Sequence, residues 1–272
     1  MKIFISADME GISSIVSTDQ IFPGGRGYDR ARLLMTREVN KVVEAAFECG
    51  AHEVLVNDSH HNKDNILIEE LDPRSELISG KFRPLSMMQG IDKSFDAVFF
   101  VGYHARAGTP EAFLDHTNIF SIINLKINGK LMGEIGMNGR IAGCFGVPVI
   151  FVSGDQKAIM CAHEELNQPI GVIVKESISR SSAKVYSFSV VEERLKSGVK
   201  DAMKSIEYFQ PTIEKLPVKI EVSFYTSNMA EQCLLIPGVI REDARTVSYK
   251  SKKFMEAYYV YRIMIELISK ID

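Results

Sequence analysis

The chain has 272 residues, of which 46% are hydrophobic, and its formal net charge is -3 with a pI near 6.1. This length and apolar fraction suit a globular protein with a sizeable core, and the slight negative charge offers no general attraction to nucleic acid or anionic lipid. Only four residues separate Lys2 from Ala7, too few for a signal peptide, and no stretch approaches about 18 uninterrupted apolar residues, so we expect a cytoplasmic protein without nucleic-acid or membrane partners.

The N-terminal part of the chain alternates between strand and helix patterns. Residues 3–6 form a short apolar run, and residues 28–50 then place apolar side chains at helical intervals before a glycine stop. A second strand ends near Asp58 and a third, rich in β-branched and aromatic residues, ends near Tyr103. Short connections between such elements predict a largely parallel sheet covered by helices on both faces.

The middle of the chain contains a hairpin signal. Asn128-Gly129 lies between two apolar-rich runs, which predicts an antiparallel hairpin that we expect to join the main sheet. A helix follows within residues 134–146, and the next strand ends at Asp155 before another helix. The predicted class is therefore α/β: a mostly parallel sheet flanked by helices, with an inserted hairpin.

From about residue 210 the pattern repeats on a smaller scale, with two strands, a short helix and a long C-terminal helix. We predict an α/β domain over residues 1–209 and a smaller α+β lobe over residues 210–272, although a single domain is an alternative. The C-terminal helix "FMEAYYVYRIMIELI" is apolar nearly all round, which fits either subunit contacts or burial within its own lobe.

The four cysteines are scattered and form no CxxC pair, so we predict buried free thiols rather than disulfides or metal ligands. They are Cys49, Cys144, Cys161 and Cys233.

Two carboxylates stand at the end of the first predicted strand. Asp8 and Glu10 are two positions apart, so both side chains point to one side if the chain stays extended, and Gly11 then lets the backbone turn away. An isolated pair of this kind would be explained by a loop cap and a solvated acid. If the two carboxylates do converge, their like charges repel each other and require a neutralising partner.

Histidines follow two other predicted strands: His60, with its neighbour His61, and His104. The carboxyl ends of neighbouring strands line one crevice in an open α/β sheet, so these imidazoles are expected to meet Asp8 and Glu10. Carboxylate and imidazole ligands suit zinc, manganese or cobalt, and a shared carboxylate is the usual way to hold two cations. Asp8 is the candidate bridge.

Two further residues extend this candidate set. Glu134 begins a helix directly after the hairpin and is a possible fifth ligand. His116 lies in a loop before the hairpin, where a structural hydrogen bond and a catalytic role are equally good interpretations.

The motifs resemble those of the DppA-type D-aminopeptidases, the M55 metallopeptidase family. The resemblance covers most of the chain in the right order and rests on "SADMEG" at 6–11, "NDSHH" at 57–61, "GYHARAG" at 102–108, "FLDHT" at 113–117 and "NGKLMGEIGMNG" at 128–139. It implies an aminopeptidase with two zinc ions per chain that acts on short peptides with an N-terminal D-amino acid, such as D-Ala-D-Ala. It also implies a homodecamer of two stacked pentameric rings.

The resemblance further implies roles for individual residues. His116 corresponds to the catalytic residue, acting as nucleophile or as general acid or base. The metal ligands correspond to Asp8, Glu10, His60, His104 and Glu134. We expect Asp8 to bridge the metals, with Glu10 and His104 on one side and His60 and Glu134 on the other. The long segment 102–116 is expected to supply the contacts that select the D-enantiomer.

Two alternative functions remain open from the sequence. Paired cations also serve phosphoesterases, for which "PGGRGYDR" at 23–30 is the single candidate phosphate-binding segment, although it lacks the GxxxxGK pattern. The second alternative is a non-enzymatic ring scaffold whose fold is held by metals. The mixture of carboxylate and imidazole, without cysteine, favours an open catalytic site over a closed structural one.

Overall fold

The computed structural model describes residues 1–269, and within that range the chain forms six α-helices and two sheets. The strands are β1 (Lys2–Ala7), β2 (Glu53–Asp58), β3 (Glu76–Ile78), β4 (Ala97–Tyr103), β5 (Ile122–Ile127), β6 (Lys130–Leu131), β7 (Val149–Asp155), β8 (Ile170–Ser179), β9 (Ser182–Val185), β10 (Val218–Phe224), β11 (Ile240–Arg241) and β12 (Thr246–Ser251). The helices are α1 (Tyr28–Glu48), α2 (Glu134–Cys144), α3 (Gln156–Glu165), α4 (Phe188–Lys204), α5 (Ser227–Cys233) and α6 (Phe254–Ile268). Residues 270–272 of the predicted C-terminal lobe lie outside the described residues.

The first sheet has seven strands in the order β3-β2-β1-β4-β7-β8-β9. Its strands pair in parallel except for β9, which is antiparallel to β8. The predicted α/β class with a mostly parallel sheet is confirmed. The chain moves outward from β1 through β2 and β3 and then returns to place β4 on the other side of β1. This reversal creates a crevice at the carboxyl ends of β1 and β4, where ligands bind in open α/β sheets.

Both faces of this sheet are covered, as predicted. Ile3 and Ile5 of β1 pack in a core with α1 and α4, whereas Phe4 packs in a second core with α2, α3 and α6. Successive side chains of a strand point to opposite faces, so Ile3, Phe4 and Ile5 are all apolar because both faces of β1 are buried.

The second sheet has five antiparallel strands in the order β11-β12-β10-β5-β6. The β5–β6 hairpin forms at Asn128-Gly129, where both residues have positive φ, but it does not join the parallel sheet. That part of the prediction is wrong, because β5 pairs with β10 and its apolar residues complete the core under the C-terminal strands. The five-stranded sheet thus contains strands from both sides of residue 210, and the division into domains at that point stays a prediction.

Helix α6 buries one face and exposes the other. Its buried residues include Tyr261, Met264 and Ile268, while Tyr259 and Ile263 are about half exposed. The buried face packs against β10, β12 and α5. None of the helices within residues 1–269 has the length and apolar character needed to cross a membrane.

The cysteines follow the prediction only in part. Cys161 and Cys233 are buried and Cys49 is partly buried, but Cys144 is exposed. Cys144 is the last residue of α2 and, unlike the residues before it in this helix, is exposed, so its helical context did not imply burial. All four thiols are free within the part of the chain that the structure describes.

Candidate metal centre

The structure gathers all six predicted site residues at the carboxyl edge of the first sheet. Three of the segments involved directly follow parallel strands, and the other two lie on either side of the hairpin. Asp8 and Glu10 follow β1, His60 follows β2, His104 follows β4, His116 precedes β5, and Glu134 is the first residue of α2. All except the partly buried His116 are buried.

The backbone after β1 is held against the end of β4. The Asp8 amide donates to the Val101 carbonyl at 2.8 Å and the Gly11 amide donates to the Gly102 carbonyl at 2.7 Å. A Cβ atom at Gly11 would collide with the backbone carbonyl of Tyr103, so only glycine permits this approach. These contacts turn both carboxylates toward the residues that follow the neighbouring strands.

Asp8 lies between two histidines. Its Oδ1 atom is 3.4 Å from Nδ1 of His60, and its Oδ2 atom is 3.4 Å from Nε2 of His104. Glu10 Oε2 is 3.0 Å from the same His60 nitrogen. The two oxygens of Asp8 therefore face two different ligand groups, which is the arrangement that a bridging carboxylate requires.

Glu134 and His116 complete the cluster on the side of His104. Glu134 Oε1 lies 3.3 Å from His104 Nε2 and 3.8 Å from His116 Nε2, and it accepts a hydrogen bond from the Asn118 amide at 2.7 Å. The His104 and His116 rings are stacked with centroids 4.0 Å apart. His116 Nε2 is also 3.8 Å from Glu10 Oε1, so this ring faces both ends of the cluster.

Each of the three imidazoles is oriented by a backbone carbonyl. His60 Nε2 lies 2.7 Å from Ile21 O, His104 Nδ1 lies 2.9 Å from Ala105 O, and His116 Nδ1 lies 2.8 Å from Leu114 O. A carbonyl oxygen only accepts, so the ring nitrogen beside it carries the hydrogen. The opposite nitrogen of each neutral ring is then an acceptor that points into the cluster, as a metal ligand or a base must.

Burial and the neighbouring charges of the cluster shift the pKa values of its carboxylates. Burial and then the neighbouring Glu10 raise the pKa of Asp8 to about 7. Burial also opposes ionisation of Glu10, but the His60 charge overcomes it and holds the pKa of Glu10 well below its usual range. These opposite directions are typical of carboxylates that share one buried site.

The pKa values of two histidines in the cluster are shifted as well. Burial lowers the pKa of His104, but the Glu134 carboxylate more than compensates and raises it to about 10. Burial, followed by the His104 charge, lowers the pKa of His116. This shift favours a neutral His116 imidazole, which is suited to accept a proton.

The donor set fits a pair of divalent cations. Three buried atoms at its centre, Asp8 Oδ2, Glu10 Oε2 and His104 Nε2, have no hydrogen-bond partner within residues 1–269. Ligand atoms of Asp8, Glu10 and His104 lie within 4.8 Å of one another, as do those of His104, His116 and Glu134. Buried polar atoms without partners are costly, and cations bound by oxygen and imidazole nitrogen would satisfy them.

The N-terminus of α2, which carries Glu134, is held by a buried acid of α3. Glu165 Oε2 accepts from the Gly133 amide at 2.9 Å and from the Gly136 amide at 2.8 Å. Arg106 Nη1 donates to the other oxygen of Glu165 at 3.0 Å. The carboxylate satisfies amides that a helix start leaves unpaired, and it thereby holds the first turn in place.

Lys175 is a supporting residue that the sequence analysis missed. Its fully buried ammonium group, on β8, donates to the carbonyls of Glu10 at 2.6 Å, Ile12 at 2.9 Å and Ile15 at 2.7 Å. Burial lowers the pKa of Lys175 to about 8. The lysine that directly follows the apolar run "GVIV" is the signal that would have drawn attention to it. Its three hydrogen bonds hold the loop that presents Glu10.

The cluster opens into a cavity of about 620 Å³, within the range of small-molecule sites. Phe22, His61 and Phe120 line its wall beside the acids. Of the segment 102–116, only His116 reaches the cavity, so that loop is not the main wall, and its expected part in selecting the D-enantiomer stays a prediction. None of residues 23–30 lines the cavity. Gly24 and Gly27 have positive φ in the turn before α1, which accounts for these glycines without a phosphate.

Comparison with known proteins assigns the chain to a protein family. The model of the peptidase family M55, described as D-aminopeptidase, matches residues 1–263. The chain is 37% identical over 268 residues to the D-aminopeptidase of Bacillus subtilis (strain 168). This match covers 98% of this chain and 97% of the relative. A solved structure, the Zn-dependent D-aminopeptidase DppA from Bacillus subtilis, described as a self-compartmentalizing protease, superposes with a TM-score of 0.97. It is 36% identical and the match covers 99% of this chain and 98% of that one.

Proposed function

The chain belongs to the M55 family of D-aminopeptidases and is a hydrolase of peptide bonds, and we propose that it removes N-terminal D-amino acids from short peptides at a centre of two zinc ions. The observation that carries this proposal is the buried cluster in which Asp8 faces His60 with one oxygen and His104 with the other. The similar Bacillus subtilis enzyme is Zn-dependent, which supports zinc as the metal.

The proposed ligands are Asp8, Glu10, His60, His104 and Glu134. Asp8 would be shared, and the shorter separations group Glu10 with His60 and Glu134 with His104. Ligand atoms of Asp8, Glu10 and His104 also lie within 4.8 Å of one another, so the partition expected from the sequence, with Glu10 and His104 on one side of Asp8, stays a prediction. When bound, a zinc pair would lower the pKa of a water molecule and polarise the scissile carbonyl.

His116 is the proposed proton-transfer residue. Its Nδ1 hydrogen is engaged by the Leu114 carbonyl, so Nε2 is free to take a proton from a nucleophile or to return one to the leaving amine. Burial and the His104 charge lower the pKa of His116, which favours the neutral form that a base needs. Stacking on His104 fixes the plane of the ring.

The amino end of the substrate would lie among the acids. A metal held beside Glu10 or Glu134 at the cavity wall would bind the neutral amine of the substrate, and a peptidase that holds this group beside the scissile bond removes one residue at a time. The family assignment favours this chemistry over the phosphoesterase and over the non-enzymatic scaffold.

We also propose that the chain assembles into a closed homo-oligomer, the homodecamer of two pentameric rings implied by the family resemblance. The similar Bacillus subtilis structure is described as self-compartmentalizing. Apolar side chains that are more than two thirds exposed, such as Tyr208, Ile213 and Leu235, would be covered in an assembly. Sedimentation analysis tests this: a monomer at micromolar concentration would contradict it.

The first experiment compares hydrolysis of D-Ala-D-Ala and L-Ala-L-Ala by the purified protein, with zinc per chain measured on the same sample. We expect about two zinc ions per chain and activity on the D-peptide alone. Zinc without activity on either peptide would contradict the proposed substrate and leave the metal centre standing. Activity without bound metal would contradict the metal centre.

A further inference from the structure

The cavity contains basic residues that the proposed reaction does not use. Lys63, Lys81, Arg83 and Arg262 line the same space as Asp8, Glu10 and Glu134. The acids of the metal centre and a group of cations therefore line one cavity.

Two of these cations have partners of their own. Arg83 is buried and donates to the Asn57 side chain and to the carbonyls of Asp58 and Ile78, so it fastens the end of β2. Arg262 on α6 pairs with Glu266 at 2.9 Å. Lys81 is exposed at the rim.

Lys63 is different. Its ammonium group donates to the Ser59 carbonyl at 3.0 Å and makes no ion pair with an acid within residues 1–269. An ammonium group has three hydrogens, so two remain for a ligand.

Lys63 is also held close to the metal centre. Its backbone amide donates to the His60 carbonyl at 2.7 Å, and its side chain returns to the carbonyl of Ser59, the residue before His60. Lys63 thus presents its charge from the same tight turn that presents the His60 ring. Two extended residues span at most about 7 Å, so a short peptide is the ligand whose two ends fit such neighbouring groups.

We propose that Lys63 binds the C-terminal carboxylate of the substrate, so that the enzyme recognises both ends of a short peptide with a free C-terminus. This inference rests on the proposed aminopeptidase function. The acids of the cluster are not the partners of Lys63 when they hold metal, because two divalent cations exceed the charge of three carboxylates. The anion that Lys63 lacks is then supplied by the substrate.

The test compares D-Ala-D-Ala with its C-terminal amide, using the zinc-loaded enzyme and the variants Lys63→Met and Lys63→Arg. We expect the wild type to prefer the free acid by about 10- to 100-fold in kcat/KM, mostly through KM, the range for one hydrogen bond to a charged group. Lys63→Met should remove most of this preference while zinc per chain stays unchanged, and Lys63→Arg should restore part of it.

Two control variants distinguish a direct contact between Lys63 and the substrate carboxylate from a general electrostatic effect of positive charge. Lys81→Met removes the same charge from the rim of the same cavity and should change the preference less than Lys63→Met does. Lys184→Met removes an exposed charge on β9 and should leave both substrates unaffected.

The remaining outcomes overturn the inference in distinguishable ways. Equal activity of the wild type on acid and amide would refute the carboxylate contact and leave the D-aminopeptidase standing. Equal effects of Lys63→Met and Lys81→Met on the preference would show that Lys63 acts only through the electrostatic field of the cavity. Loss of zinc in Lys63→Met would show that Lys63 acts by holding the structure of the metal centre. No activity on either D-peptide would refute the proposed function itself.

Discussion

The two sheets of this protein differ in what they do with the ends of their strands. In the first sheet β1, β2 and β4 run in parallel, so the polar residues that follow them meet at one edge. In the second sheet the strands are antiparallel, and consecutive ends lie at opposite edges. Within residues 1–269 the groups suited to metal binding draw on the first sheet and on the loop and helix beside the hairpin. Parallel pairing therefore collects chemistry from distant parts of the chain, whereas the second sheet mainly supplies core and cover.

The largest effect should come from the residue that links both halves of the metal centre. Asp8→Asn keeps the shape of the side chain but removes the charge that both histidines face, so zinc per chain should fall and kcat should drop by about 1000-fold. Zinc content and turnover of D-Ala-D-Ala measure this. Asp29→Asn, an exposed change on α1, is the control and should alter neither quantity. Full activity of Asp8→Asn would show that the first sheet does not carry the chemistry.

His116→Ala should separate catalysis from metal binding at the same edge. We expect turnover to fall by about 100-fold or more with zinc content intact, because a proton-transfer group is lost while the five proposed ligands remain. His163→Ala, an exposed histidine on α3, serves as the control. Loss of zinc in His116→Ala would make this residue a ligand. An acyl-enzyme trapped on the wild type, and absent in the variant, would instead make it a nucleophile.

A core change behind the second sheet should affect stability without affecting chemistry. Met264 of α6 is fully buried, so Met264→Ala should lower the free energy of unfolding by about 2 kcal/mol or more, roughly 30-fold in the folding equilibrium. Chemical denaturation measures this, and kcat of the folded enzyme should stay at the wild-type value. Ile263→Ala, half exposed on the same helix, should cost less than about 0.5 kcal/mol. A lower kcat in Met264→Ala would mean that α6 takes part in the reaction.

The smallest effect should come from changing Lys175, whose hydrogen bonds hold the loop that carries Glu10. Lys175→Met removes three hydrogen bonds to backbone carbonyls, and we expect zinc affinity to fall by about 10-fold because Glu10 is less well placed. Titration with a chelator measures the affinity. Lys157→Met, which removes a lysine paired with Glu111 near the surface, is the matched control. Unchanged zinc affinity with reduced stability would restrict Lys175 to the fold.

Much of the first sheet was predictable because its signals are local. Apolar runs that end in Asp8, Asp58 and Tyr103 indicate strands and their carboxyl ends without knowledge of their neighbours. The hairpin at Asn128-Gly129 was equally local, since its turn type depends on two residues. Its place in the second sheet was not, because the partner strand β10 begins almost 90 residues later.

The sequence by itself determined the kind of chemistry: two acids and two histidines follow separate apolar strands, and their atoms are those that bind divalent cations. Only the tertiary structure decided which oxygen of Asp8 faces which histidine, that Lys175 reaches back 165 residues to hold Glu10, and that Lys63 stands in the cavity without an acidic partner among residues 1–269. The physical reason is that residue type and periodicity are properties of neighbours in the chain. Distances between side chains depend instead on strand order and on the packing of segments that are remote in sequence.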